Sequence, residues 1–554
     1  MVIVGTTDLH GWFAGHERDK PSYGGLPLLA SYINALRAAN PNHVLVVDSG
    51  DLYQGTLESN LFEGEPVTRA YNAIGYTAAA VGNHEFDFGP VGPAVIPQGP
   101  ADDPLGALKQ NASRATFPFL SANMVEKATG NTPSWAKKST MVTVDGARIG
   151  IIGLSTPDTP NVTMEANVLT LSFTDPVAAV KQEAAKLRAD GADAVIVIAH
   201  MGGKCSDMND VHDVASCCKG EEGTTLLENL PAGTIDAYFG GHTHQQMRQI
   251  VNGTPAVQAN AYSHSFSTID LWVDPAAHKV TKSDLRPHTM LCTQVFSGTE
   301  TCDTRRLPKN TPQPPLVPRV FEGKTMQADA NLVTLLEPFL ERTRAKRNEP
   351  TGIRTAEKIT RNYETESPLG DLMADAIKDG SFAEIGFINS GSIRNELPAG
   401  DLRYNDVFEV MPFDNLVMNV AMTGSEIIDA LRSNAAGDRG LMQVSGIKYT
   451  LDRSRDPNDR ITNVTLDNGK PLILDRQYRV AMPDFLAYGG DGLKPVLAKL
   501  PRDRFTTEAE GLTLRDVFIR VVKQMRQPIS VKTSGRVTVV GKPAGPAAPG
   551  SPPC

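Results

Sequence analysis

Five short stretches in the first half of the chain place histidine, aspartate and asparagine directly after apolar runs. They are Asp8-Leu9-His10, Gly50-Asp51, Gly82-Asn83-His84-Glu85-Phe86-Asp87, His200, and Gly241-His242-Thr243-His244. Together these side chains form a mixed oxygen and nitrogen donor set. It suits borderline divalent ions such as Zn, Mn, Fe or Co. Residues two apart at a strand end point the same way, so Asp8 with His10 and His242 with His244 can each grip an ion. Two neighbouring ions need one shared carboxylate, and Asp51, in a turn flanked by Gly50 and Gly55, is the natural bridge. Taken singly, such a histidine is usually a packed or surface side chain, and such an aspartate a helix cap. Five of these ends in order are hard to obtain by chance.

The elements that must position these residues follow from hydropathy. Apolar runs of strand length occupy 2–4, 44–47, 78–81, 194–199 and 235–239, and each leads into one of the five stretches. Helical spacing of apolar residues marks 26–39, 65–74 and 176–189, with further strands at 119–123, 141–144 and 149–154. Near-continuous apolar strands alternating with helices imply an α/β domain whose sheet is covered on both faces. Ligands in such folds gather beyond the carboxyl ends of the strands, which is where all five stretches lie.

Residues 305–325 are rich in Pro, Lys and Arg and read as a connector, followed by an amphipathic helix over 328–347. The strand and helix pattern then restarts, with helices at 368–379, 424–433 and 514–524 and a strand at 385–388. The expected organisation is a domain over 1–305, a linker with connecting helix over 306–350 and a second α/β domain over 351–540. A disordered Pro/Gly-rich tail is expected over 541–554.

A length of 554 residues exceeds one ordinary core, in keeping with two domains. A net charge of −9 and the lack of any dense Lys/Arg block argue against a nucleic-acid polymer as partner. No run of eighteen apolar residues offers a membrane span. The first motif follows Met1-Val2-Ile3-Val4 at once, as expected where numbering begins at a mature domain or a misplaced start. Cys205, Cys217 and Cys218 share one Gly/Asp/Ser-rich insertion, Cys292 and Cys302 flank a polar loop, and Cys554 ends the chain. Close pairs inside loops read as loop-closing disulfides, with Cys292–Cys302 the foremost pair, and so favour an exported protein.

Three stretches of the second half carry polar and aromatic groups beside turns. Asn389-Ser390-Gly391-Ser392-Ile393-Arg394 follows a strand, and a guanidinium there can fork onto a phosphate. Met411-Pro412-Phe413-Asp414-Asn415 and Asp484-Phe485-Leu486-Ala487-Tyr488-Gly489-Gly490-Asp491-Gly492 each offer a ring next to turn residues. Core packing is the ordinary role of such rings, and the glycines permit close approach of backbone to a ligand.

The first-half motifs resemble the calcineurin-like metallophosphoesterases. With the second half included, the chain resembles the bacterial 5′-nucleotidase / UDP-sugar hydrolase / cyclic-nucleotide phosphodiesterase family. The resemblance implies an N-terminal sandwich of two sheets flanked by helices and a second, substrate-binding α/β domain. It implies two divalent ions (Zn, Mn, Co or Fe), one held by Asp8, His10, Asp51 and His244, the other by Asp51, Asn83, His200 and His242. It makes His84 and Asp87 a catalytic pair, with His84 on the phosphoryl group and Asp87 orienting it. Phe413 and Phe485 would sandwich a nucleobase, Asn389 and Arg394 would contact phosphate or sugar, and Asp491 the ribose. Arg361 is a weaker arginine candidate. Trp12 stands where some animal relatives carry Arg, and Asp414 stands where relatives typically have Gly. The implied activity is 5′-nucleotidase, acting on a nucleotide or nucleoside phosphate in a periplasmic or secreted setting. The shared ligand set leaves open a 2′,3′-cyclic phosphodiesterase with 3′-nucleotidase activity, a UDP-sugar hydrolase and the sulfur-oxidising branch of the fold. A non-catalytic nucleotide-binding surface protein is the alternative of another class. Metal on one domain and base recognition on the other would make closure about the connecting helix part of catalysis.

Overall fold

The computed structural model of the chain describes residues 1–16, 21–307, 312–437, 440–507 and 512–541. The tail expected at 541–554 lies outside the described residues from 542 onward. The chain divides into two compact units, the first ending at Glu341 and the second starting at Arg342. Both are α/β.

The first unit is built on two sheets. One runs Lys279–Leu285, Ser265–Asp274, Val2–Thr6, Val44–Asp48, Ala78–Ala80, Phe119–Leu120, and its last four strands are parallel. The other runs Gln246–Val251, Thr254–Ala259, Ala237–Gly240, Ala194–His200, Ala147–Ser155, Ser139–Val144, with a parallel centre. Ile3, Leu45, Val47, Ile149, Ile151, Ile196, Ile198 and Phe239 form one core shared by both sheets. A second core sets Val4, Val46 and Ala79 of the first sheet against Leu29, Ile33 and Leu36 of the Leu26–Ala39 helix. A third sets Val195 and Val197 against Val180 and Leu187 of the Pro176–Ala189 helix. The result is helix, sheet, sheet, helix. Each central strand is buried on both faces, which is why its sequence is apolar without alternation.

The stretch read as a connector is partly ordered into the first unit. Leu316–Pro318 pairs with Gln294–Phe296, and Val320–Phe321 pairs with Lys324–Thr325. Met326 is buried in the second core, beside the Leu26–Ala39 helix, with Phe321 packed against it. Short strands beside prolines carry too little apolar periodicity to be seen in sequence. The following helix spans Ala330–Arg347. Cys205–Cys217 and Cys292–Cys302 are disulfides, and no described cysteine is a free thiol.

The second unit holds a five-stranded sheet, Met442–Ser445, Ile385–Asn389, Gln477–Pro483, Val417–Thr423, Phe505–Thr507. Helices Pro368–Gly380 and Leu514–Gln524 pack on one core with Ile388 and Val417. Helix Gly424–Ala435 packs on another with Val420 and Val480.

Candidate active site

All five polar stretches fall beyond the carboxyl ends of neighbouring strands in the first unit. Asp8 and His10 follow Val2–Thr6, Asp51 follows Val44–Asp48, Asn83 follows Ala78–Ala80, and His242 and His244 follow Ala237–Gly240. His200 is the last residue of its strand. Asp8, His10, Asp51, His242 and His244 have φ of 51°, 48°, 59°, 76° and 54°, the left-handed region that L-residues avoid. Such strain persists only where surrounding structure imposes it, and it clusters at functional sites. Gly82 is obligatory here, because a Cβ on it would lie 2.2 Å from Asp51 Oδ1.

The side chains converge in two groups that share Asp51. Asp8, His10, Asp51 and His244 bring one donor atom each within 4.8 Å of the others, and so do Asp51, His200 and His242. Hydrogen bonds at the back of the rings fix what faces the centre. His10 Nδ1 lies 2.8 Å from the carbonyl of Gln54, and His200 Nδ1 lies 2.9 Å from that of Ser49. A carbonyl only accepts, so each Nδ1 carries the proton and each Nε2 of a neutral ring turns its lone pair inward. His200 Nε2 then meets Asp51 Oδ2 at 3.0 Å and Asn83 Oδ1 at 3.0 Å. The Asn83 amide is held in that sense by donating to Val162 O at 2.9 Å. His10 Nε2 and His244 Nε2 are 2.9 Å apart.

Acceptors facing acceptors in a buried site need a cation between them, so the donor set fits divalent metal. The electrostatics of three of the rings agree. Burial lowers His10 to about 3, His242 to about 3 and His244 to about 4, leaving neutral imidazoles ready to ligate. His200 differs: burial would lower it too, but Asp51 raises it to about 9, so without an ion its Nε2 takes up a proton instead. Burial also opposes ionisation of Asp51, but that charge on His200 and the charge of His84 outweigh it and hold the carboxylate well below its ordinary range.

His84 stands beside this centre, its ring 5.2 Å from that of His10. Its Nδ1 is 2.5 Å from Asp87 Oδ2, Asp87 Oδ1 accepts from Thr163 Oγ1 at 2.7 Å, and the His84 N–H donates to Asp51 Oδ1 at 2.9 Å. Burial would lower the imidazole, but Asp87 and Asp51 prevail and raise it to about 10. Trp12 stacks on His16 with ring centroids 4.2 Å apart.

Two residues that sequence reasoning gave no role support the centre. The buried Glu85 carboxylate accepts from the N–H groups of Asp51 (2.9 Å), Leu52 (2.6 Å) and Gly82 (2.6 Å). It ties the Asp51 turn to the Asn83 turn. Tyr262 Oη is 2.9 Å from His244 Nδ1. Glu85 sat inside a recognised motif, whereas Tyr262 had no signal beyond an asparagine two residues before it.

In the second unit, Asn389 Nδ2 donates to Asp491 Oδ2 at 2.6 Å, and Asp491 has φ 46°. Arg394 donates to Gly391 O at 3.1 Å and its guanidinium lies 5.8 Å from the Phe413 ring. Arg361 reaches the same turn through Ile393 O at 3.0 Å. The Phe413 and Phe485 rings are 37% and 43% exposed, which core packing would not leave them. They do not stack on each other among the described residues. A third ring, Tyr363, is 41% exposed. A methyl on Gly391 would lie 3.4 Å from Asn389 Nδ2, 3.9 Å from Asp491 Oδ2 and 4.0 Å from Tyr363.

Residues 1–246 match the calcineurin-like phosphoesterase family, and residues 346–499 match the 5′-nucleotidase C-terminal domain. The chain is 30% identical over 529 residues to a 5′-nucleotidase of Vibrio cholerae, covering 89% of this chain and 85% of that protein. A putative 5′-nucleotidase from Staphylococcus aureus, solved with alpha-ketoglutarate, shares the fold with a TM-score of 0.72 at 18% identity, over 97% of this chain and 99% of that one. A 5′-nucleotidase precursor from Thermus thermophilus does so with a TM-score of 0.66 at 22% identity, over 98% and 100%. The chain belongs to the 5′-nucleotidase family and is a metal-dependent phosphoester hydrolase.

Proposed function

We propose that the chain is a two-metal phosphohydrolase that removes phosphate from nucleotides, acting as a 5′-nucleotidase. The observation that carries this reading is the ring of acceptors around Asp51 with the His84–Asp87 pair at its edge. Asp8, His10, Asp51 and His244 would hold one ion, and Asp51, Asn83, His200 and His242 the other. Two such ions would supply Lewis-acid charge beside a phosphoryl group and would lower the pKa of water.

The chain's own groups do the rest. His84, protonated and fixed through Nδ1, presents Nε2 to a phosphoryl oxygen and offsets charge that grows in the transition state. Asp87, itself held by Thr163, keeps that ring in one orientation. In the second unit, Phe413 and Phe485 stack a base, Asp491 with Asn389 meets the ribose, and Arg394 contacts phosphate or sugar. A π-face accepts every base, which gives affinity with little base discrimination. The domain limits of 1–305 and 351–540 are proposed on the same division of labour. Two disulfides support an exported setting, periplasmic or secreted.

The deciding experiment measures phosphate release from AMP by metal-stripped protein reloaded with Mn, Zn or Co, beside His84→Ala. Release that depends on metal and collapses in the variant is expected. Parallel assays with 3′-AMP, 2′,3′-cyclic AMP and UDP-glucose decide among the substrates; preference for any of these over AMP would overturn the 5′-nucleotidase assignment.

A further inference from the structure

Arg515 is only 4% exposed, deep in the second unit. A buried guanidinium persists only where its donors are met. Its Nε donates to Tyr404 Oη at 2.9 Å. Its Nη1 donates to the carbonyls of Met411 at 2.7 Å and Phe413 at 3.2 Å, and its Nη2 to Asp414 Oδ1. The Phe408 ring lies 4.8 Å from the guanidinium carbon. Three of these four hydrogen-bond partners belong to one turn, and that turn carries the exposed Phe413 ring. The ring is 37% exposed, so core packing does not fix it alone and its place depends on the backbone that Arg515 grips. Asp414 supplies the only side chain of the turn in this grip.

We propose that the Asp414–Arg515 ion pair is a latch that fixes the Phe413 turn and thereby sets how tightly the enzyme holds the base of its substrate. Asp414 is then a positioning residue for specificity, acting through Phe413. The inference rests on the proposed stacking of a base on Phe413.

The test compares Asp414→Gly, Asp414→Asn and Phe413→Ala in the full metal-loaded chain, with AMP and with ribose 5-phosphate, which lacks a base. Hydrogen exchange across 411–415 is followed alongside. Asp414→Gly is expected to speed exchange in the turn and to raise KM for AMP about tenfold with kcat within about twofold. Its kcat/KM for ribose 5-phosphate stays unchanged, and Asp414→Asn falls between. The double variant Asp414→Gly/Arg515→Met removes the stranded buried charge too, and shows the same KM effect even if the single variant is unstable. Unchanged exchange, or an equal loss on both substrates, overturns the latch. Faster exchange with neither Phe413→Ala nor Asp414→Gly affecting AMP places the failure in the base-stacking reading and overturns the claim about substrate.

Discussion

Asn415 Nδ2 donates to Asp484 Oδ1 at 2.7 Å, and the backbone N–H of Phe485 donates to the same oxygen at 2.8 Å. One carboxylate oxygen thus joins the turn that bears Phe413 to the turn that bears Phe485. The Asp484 N–H in turn donates to Leu416 O at 2.9 Å. The two exposed rings are held at one place by a polar pin between their backbones. Asn415→Ala removes the pin and leaves the rings intact. We expect KM for AMP to rise roughly three- to tenfold with kcat nearly constant, since uniform binding is what is lost. Initial-rate kinetics decide this, and a fall in kcat without a change in KM would contradict it.

His84 and Asp87 stand at the edge of the centre without belonging to either donor cluster. His84→Ala should lower kcat about 10²- to 10³-fold, the scale of losing one preorganised donor to a developing oxyanion. Asp87→Asn should cost about tenfold or more, because the ring keeps its place but loses the carboxylate that charges it. Metal content by elemental analysis should match the parent in both variants. Loss of metal in step with loss of rate would reassign His84 to the donor set.

Glu85 accepts three buried backbone N–H groups with one carboxylate. Glu85→Gln turns an amide N–H₂ toward donors and can satisfy only part of them. The Asp51 and Asn83 turns would then separate. Metal affinity should fall about 10- to 100-fold, as when outer groups that orient ligands are lost. Stability of the metal-free protein should drop by roughly 2–3 kcal/mol, the cost of unmade buried hydrogen bonds. Equilibrium dialysis with Mn and urea unfolding in chelator report the two effects separately, and unchanged affinity would leave Glu85 with a folding role alone.

The donor set was legible because its chemistry contradicts its surroundings. A core strand that ends in Asp, Asn or His spends apolar length on groups a core refuses, as at Ala194–His200. Those ends also tell which strands are neighbours, since one centre must collect them. Arg515 shows the opposite case. It sits in Leu514–Gln524, where the sequence reads as an ordinary amphipathic helix, and only tertiary packing reveals it as a buried cation. Tyr262 was equally hidden, because a single hydroxyl meeting a ring nitrogen leaves no periodic trace. The strands at 316–325 were missed because two- and three-residue pairs beside prolines carry no alternation to detect.

His288 makes the acid limb of stability testable away from the metal centre. Its Nδ1 is 3.1 Å from Ser267 Oγ. Burial, then the charges of Arg248 and Arg306, lower its pKa to about 4 from the ordinary 6.5. Between those values the unfolded chain binds a proton that the folded chain refuses. Stability is therefore complete above about pH 6.5 and lost as pH falls toward 4, by roughly 3 kcal/mol at full effect. His264, lowered to about 4 by burial and by His16 and Arg305, acts in the same direction. His288→Gln keeps a partner for Ser267 and cannot take up the proton. Urea unfolding near pH 7 and near pH 4.5 should show the parent losing about 2 kcal/mol more than the variant on acidification. If the two proteins lose stability in parallel, the buried imidazole of His288 is not what makes the fold acid-sensitive.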